Sequence, residues 1–240
     1  MDLYPAIDLR GGRVVQLTQG DFDREQVHGD DPVALAKAFV AAGARWIHTV
    51  DLDAARTGEP VNRDLIGAIA AAVDVPVQAG GGVRSAAAAG ALAEAGVARV
   101  VMGTAAMEDP DLVAAIAARQ PVALGLDVRG REVAVRGWAH GSGVEWPQAL
   151  ERLAEAGAEA VVVTQIAVEG LMGGPDLSGL TEVLSATTLD VIASGGVGTL
   201  DDLIALDAVV AGERRLAGAI VGTAIYEGRV DVATAVAALA

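Results

Sequence analysis

The 240-residue chain contains no cysteine, which excludes disulfides and thiolate chemistry. Three scattered histidines make no metal-ligand spacing, so neither a metal nor another cofactor is expected. Aromatic residues make up only 3% of the chain, leaving Ala, Val, Leu and Ile to fill the interior. The apolar runs are short and broken by Gly or charge, so no membrane span is expected. Basic residues are outnumbered 17 to 32, and the net charge of −15 disfavours nucleic acid as a partner. On such an acidic protein, an anionic ligand has to be held locally, by backbone N–H groups and helix N-termini. The strand-like run Leu3–Ile7 has no basic leader before it, and the lack of cysteine suits a reducing compartment, so a cytoplasmic location is expected.

What is present is a regular alternation. Strand-like segments are expected at Leu3–Asp8, Trp46–Asp51, Val75–Ala79, Arg99–Met102, Val122–Asp127, Ala160–Thr164, Val191–Ser194 and Ala219–Val221. Most are short apolar runs, as strands buried on both faces should be. Helical patterns lie between them, and Asp31-Pro32 and Asp109-Pro110 read as N-caps followed by Pro at the first helical position. Eight strand–helix units in this length predict an α/β protein, a single (β/α)8 TIM barrel over residues 1–240, with a core of branched aliphatic side chains.

The two halves of the chain repeat. Residues Pro5 to Gly11 resemble Leu124 to Gly130, which sets Asp8 and Asp127 119 residues apart. Gly103-Thr104 and Gly222-Thr223 share that spacing, and Ala79 to Val83 parallels Ser194 to Val197 at a slightly different offset. Two half-barrels of four units each account for this, and they predict two similar anion sites facing each other.

In this fold the active site lies at the C-terminal strand ends. Gly80-Gly81-Gly82 follows the third expected strand, Gly103-Thr104 the fourth, Gly195-Gly196 the seventh and Gly222-Thr223 the eighth. Glycine lets the backbone approach an anion closely, and the helix that follows adds a favourable dipole. Any one such pair is as well explained by a tight turn. Four in repeat-related places point to two phosphates on one elongated substrate, with Arg84 available to the first site.

Asp8 and Asp127 each close an apolar strand on opposite sides of the expected mouth. One such carboxylate can take a carbon-bound proton while the other donates to a ring oxygen. His48 reads either as a substrate contact or as a hydrogen-bonded structural residue. Asp51 and Asp53 read as loop-holding residues. Thr164 ends the sixth strand. Glu169, beyond it, reads as a further acid or as a solvated loop residue. Trp138 reads as a ring-stacking or a packing residue.

Taken together, Pro5–Leu9, Leu17–Asp21, Trp46–Asp53, Gly80–Arg84, Gly125–Val128 and Ala193–Val197 resemble the histidine-biosynthetic phosphoribosyl isomerase (ProFAR isomerase) family. Segments Arg136–Trp138 and Gly173–Pro175 look most like its actinobacterial dual-substrate branch, which also isomerises phosphoribosylanthranilate for tryptophan synthesis. The resemblance implies an Amadori rearrangement of a phosphoribosyl substrate, on a protein expected to be monomeric. It implies Asp8 as the base at C2′ and Asp127 as the acid at the ring oxygen. In the dual-substrate branch the acid is an Asp after the sixth strand, and the matching position here is Glu169. Three positions depart from the family pattern: Gln16 stands where Arg is usual, and Gln165 and Glu169 lie in an altered loop. Those departures leave open an isomerase narrowed to phosphoribosylanthranilate, or a phosphosugar-binding barrel with little turnover. The related cyclase subunit, which shares both aspartates, normally carries Lys near position 16.

Overall fold

A computed structural model describes residues 1–18, 20–135, 140–166 and 169–240. Eight parallel strands close on themselves: β1 (Asp2–Arg10), β2 (Ile47–Asp51), β3 (Val77–Gly80), β4 (Arg99–Met102), β5 (Val122–Arg129), β6 (Ala160–Gln165), β7 (Asp190–Ser194) and β8 (Gly218–Val221). Each pairs with the next, and β8 pairs with β1 to complete the TIM barrel. All eight strands expected from sequence are present, with no end shifted by more than two residues. The helices start as expected, with Asp31 Oδ1 accepting from Ala34 N and Asp109 Oδ1 from Leu112 N.

Two antiparallel excursions had no counterpart in the sequence reading. After β1 the chain forms a hairpin of Arg13–Thr18 and Asp21–Gly29, and after β5 one of Glu132–Val135 and His140–Glu145. They are repeat-related in register as well as in place: Leu9 pairs with Val14, and Val128 with Val133.

Strand alternation decides which side chains reach the barrel interior. Leu3, Ile7 and Leu9 point outward into the main core under the helices, whereas Tyr4 and Ala6 point inward, so Asp8 continues the inward row. By the same parity Ala123 leads to Asp127, Ala160 and Val162 to Thr164, and Ile192 to Ser194. The mouth therefore receives polar residues because they fall on the inward parity beyond the last inward apolar one, two positions on for Asp8, Thr164 and Ser194 and four, past Gly125, for Asp127.

The interior is not uniformly aliphatic, which corrects the expectation for the core. Val162, Ile192 and Ile220 fill the β6–β8 side. Buried His48, Gln78 and Arg99 occupy β2 to β4, where Tyr4 and Trp46 stack with ring centroids 5.2 Å apart. Branched aliphatics dominate the layer between strands and helices instead. Among the described residues no helix is long and apolar enough to cross a membrane, and no group of acidic, His or Cys side chains is placed to hold a metal.

Candidate functional site

The C-terminal strand ends open into a cavity of about 960 Å³. Asp8, His48, Gly81, Gly82, Arg84, Gly103, Thr104, Asp127, Thr164, Glu169, Gly195, Gly196, Gly222 and Thr223 all line it. Trp138 lies outside the described residues. The register places Asp127, Thr164 and Ser194 side by side across β5, β6 and β7.

The four glycine pairs ring this cavity. At Gly81, with φ +96°, an added Cβ would strike the Asp51 carbonyl oxygen, so the turn needs glycine before any ligand is considered. That backbone is held in turn by a buried knot of hydrogen bonds. Asp51 Oδ1 accepts from Ala54 N at 2.9 Å and from Asn62 Nδ2 at 2.8 Å, and Asp51 Oδ2 accepts from Asn62 N at 2.9 Å. Asp53 Oδ2 accepts from Asn62 Nδ2 and Gly11 N, and Asn62 Oδ1 from Gly12 N. Asp51 and Asp53 thus hold loops, as their sequence context suggested. Arg84 Nη2 donates to the Ala55 carbonyl at 2.8 Å while its side chain borders the cavity.

Asp8 accepts one hydrogen bond from Gln16 Nε2 at 3.1 Å. Burial pushes its pKa up to about 7, against a smaller opposing effect of that bond. Gln16 Oε1 in turn accepts from Thr223 Oγ1 at 3.1 Å, linking Asp8 to the loop after β8. Gln16 was noted in sequence only as a departure from a pattern. Its bridging role was missed, because it depends on a hairpin that brings residue 16 back over strand β1.

Glu169 is not a solvated loop residue. Burial, and then the charges of Asp8 and Asp127, raise its pKa to about 7. Its Oε2 is buried with no hydrogen-bond partner, and it fills the space that a Cβ on Gly195 would need. The chain before it is anchored by Gln165 Nε2 donating to Asp176 Oδ2 at 2.8 Å. A carboxyl group in this setting holds a proton near neutral pH and can release it.

His48 is lowered to about 4 by burial and by the Arg99 guanidinium, so its ring is neutral at physiological pH. Two groups not anticipated from sequence complete the surroundings. Tyr226 donates from its hydroxyl to the Ala6 carbonyl at 2.7 Å; burial and then Asp8 raise its pKa and keep it protonated. Phe22, on the hairpin after β1, borders the cavity and lies under the Arg10 and Arg56 guanidinium groups at 5.2 and 5.1 Å.

Residues 2–231 match the family described as "Histidine biosynthesis protein". The chain is similar over its whole length to a protein of Rhodospirillum rubrum, with 47% identity covering all of both chains. It is 46% identical to one of Roseobacter denitrificans, covering 100% of this chain and 99% of that one. A relative from Synechococcus sp. (strain CC9902) is 44% identical, with 94% of its length covered. All three bear the name 1-(5-phosphoribosyl)-5-((5-phosphoribosylamino)methylideneamino)imidazole-4-carboxamide isomerase.

Proposed function

The chain belongs to the histidine biosynthesis protein family, and on that premise we propose that it is an isomerase whose substrate is ProFAR, the compound in its relatives' name. That compound carries two phosphoribosyl groups, one toward each end. The observation that carries the reading is a pair of carboxyl groups, Asp8 and Glu169, both raised to about 7 in one cavity ringed by glycine turns from both half-barrels. A bisphosphate spanning the mouth sets its reacting sugar between those turns.

In this reading an acid protonates the ring oxygen as the C1′–O bond breaks, leaving an iminium at C1′. Asp8 then takes the proton from C2′, giving an enolamine. A proton returns to C1′ and the C2′ hydroxyl becomes the carbonyl, so the aminoaldose ends as an aminoketose with no net gain or loss of atoms. Asp8, with a proton affinity near neutrality, suits the base. Glu169 suits the acid, since burial, and then the charges of Asp8 and Asp127, favour its protonated form; Asp127 stands beside Thr164. Thr104, Thr223 and the glycine turns hold the phosphates, with Arg84 at the edge of the first site.

Turnover of phosphoribosylanthranilate as well is the finer reading. Its support is the likeness of the Arg136–Trp138 segment, which lies outside the described residues, and of the Gly173–Pro175 segment, whose Gly174 carbonyl packs against Gly196. The relatives' name covers only the imidazole substrate. Steady-state turnover of both substrates by the purified protein tests the proposal. Conversion of ProFAR that is lost in Asp8→Asn is the expected result. Folded protein that binds phosphate ligands and converts neither substrate would overturn it in favour of a binding role.

A further inference from the structure

Inside the barrel, below the mouth, Arg99, Gln78 and His48 form a chain of hydrogen bonds across β4, β3 and β2. Arg99 Nε and Nη2 donate to Gln78 Oε1 at 3.1 and 2.7 Å. Gln78 Nε2 lies 2.9 Å from His48 Nδ1. Arg99 is only 5% exposed, fixed by stacking over Trp46 at 4.4 Å and by a bond from its Nη2 to the Tyr4 hydroxyl.

The donor and acceptor inventory of these groups allows one arrangement. A guanidinium has five N–H donors, no acceptor, and does not lose its proton in proteins. The amide atom facing it must therefore be the oxygen, which fixes the orientation of Gln78. The amide nitrogen then faces His48 Nδ1, and an amide nitrogen can only donate. Nδ1 has to offer a lone pair, so the imidazole proton resides on Nε2. An imidazolium would set N–H against N–H in a buried site. His48 Nε2 has no hydrogen-bond partner among the described residues, and His48 lines the substrate cavity.

We propose that Gln78 and Arg99 are positioning residues that hold His48 as the neutral Nε2–H tautomer, a hydrogen-bond donor aimed at the substrate that carries no charge. The role in the reaction rests on the function proposed above; the tautomer does not. The arrangement has a use. Ala6 and His48 are register partners on neighbouring strands, so His48 sits one pleat below Asp8. The charged groups around that level are Arg99, itself 3.6 Å from the Glu159 carboxylate, and Asp8, Asp127 and Glu169 at the cavity above. A cationic ring there would hold the carboxyl groups ionised and weaken Asp8 as a base. The guanidinium and the fixed amide exclude that cation while leaving a donor in place.

Long-range proton–nitrogen NMR of the uniformly labelled free protein reads the tautomer directly. His48→Gln assigns the signal against His28 and His140. The expected pattern is a pyridine-type Nδ1, a protonated Nε2 and no titration between pH 5 and pH 8. Gln78→Glu keeps a partner for Arg99 but turns a donor into an acceptor. It should move the proton to Nδ1 or raise the His48 midpoint by about one pH unit or more, in a protein of unchanged circular dichroism. An Nδ1–H or charged ring in the wild-type protein at neutral pH would overturn the assignment, as would a Gln78→Glu variant with the wild-type pattern. Absence of ProFAR turnover alongside the expected NMR pattern would strike the functional proposal and leave this one standing.

Discussion

The two half-barrels carry the same glycine turn after their third strand, yet different things lie against it. In the first half, the space above Gly81 is taken by main chain, the Asp51 carbonyl, itself locked by the Asp51–Asn62–Asp53 knot. In the second half, the space above Gly195 is taken by the Glu169 side chain, whose Oε2 has no partner. One copy of the motif is thus bound up in architecture, while the other faces a buried titratable group with no hydrogen-bond partner at Oε2. The lesson is that an internal repeat conserves the turn without conserving its job. In the proposed reaction the fixed half would seat one phosphate on locked backbone, and the other half would couple its seat to the acid.

Removal of the carboxyl groups one at a time should have the largest effects. Asp8→Asn should lower kcat/KM for ProFAR by about 10³-fold, within the range for loss of a general base. Glu169→Gln should cost about 10²-fold in kcat, and it should remove the alkaline limb of the pH–rate profile. In the intact enzyme the base works above about 7 and the acid below about 7, so the expected profile is a bell centred near neutrality. If Asp127→Asn abolishes the alkaline limb and Glu169→Gln keeps it, the acid belongs to the strand and not to the loop.

Alanine at the two turns separates their jobs. Gly81→Ala meets rigid main chain at a positive φ and should cost about 2–4 kcal/mol, read as a lower melting temperature. Gly195→Ala meets a side-chain end and should cost less stability, and should show instead as weaker binding of inorganic phosphate. Equal losses of stability would erase the distinction.

Stability against pH gives a milder test. The folded-state pKa values of Asp8 and Glu169 are raised above their unfolded values. Their protonated forms therefore favour folding, fully so below about 4, and that contribution is lost as the pH rises through about 7. The ligand-free protein should melt at a lower temperature at pH 8 than at pH 6, and Asp8→Asn should shrink the difference. Smallest of all, Gln16→Leu removes the bond that favours ionised Asp8, so the acid limb of the profile should move up by a few tenths of a pH unit.

Much of this architecture could be read from residue order alone, because strand-end aspartates, glycine turns and a 119-residue repeat are local patterns. Asp8, Asp127 and Thr164 follow from strand parity, which a sequence carries. What escaped depends on register between distant segments. Arg99, Gln78 and His48 meet only because β2, β3 and β4 align, and Gln16 reaches Asp8 only through a hairpin whose second strand, DFDREQVHG, has little hydrophobic alternation. Glu169 read as a further acid or, more commonly for such a position, as a solvated loop residue, because burial of a loop carboxylate has no signature in composition.

The knot around Asn62 has a mechanical side. Gly11 N donates to Asp53 Oδ2 at 2.7 Å and Gly12 N to Asn62 Oδ1 at 2.9 Å, so the tight turn at the root of the front hairpin is riveted to the loop after β2. Its amide hydrogens should exchange with solvent deuterium slowly for so exposed a turn. The hairpin that brings Phe22 to the edge of the cavity is thereby clamped at its base.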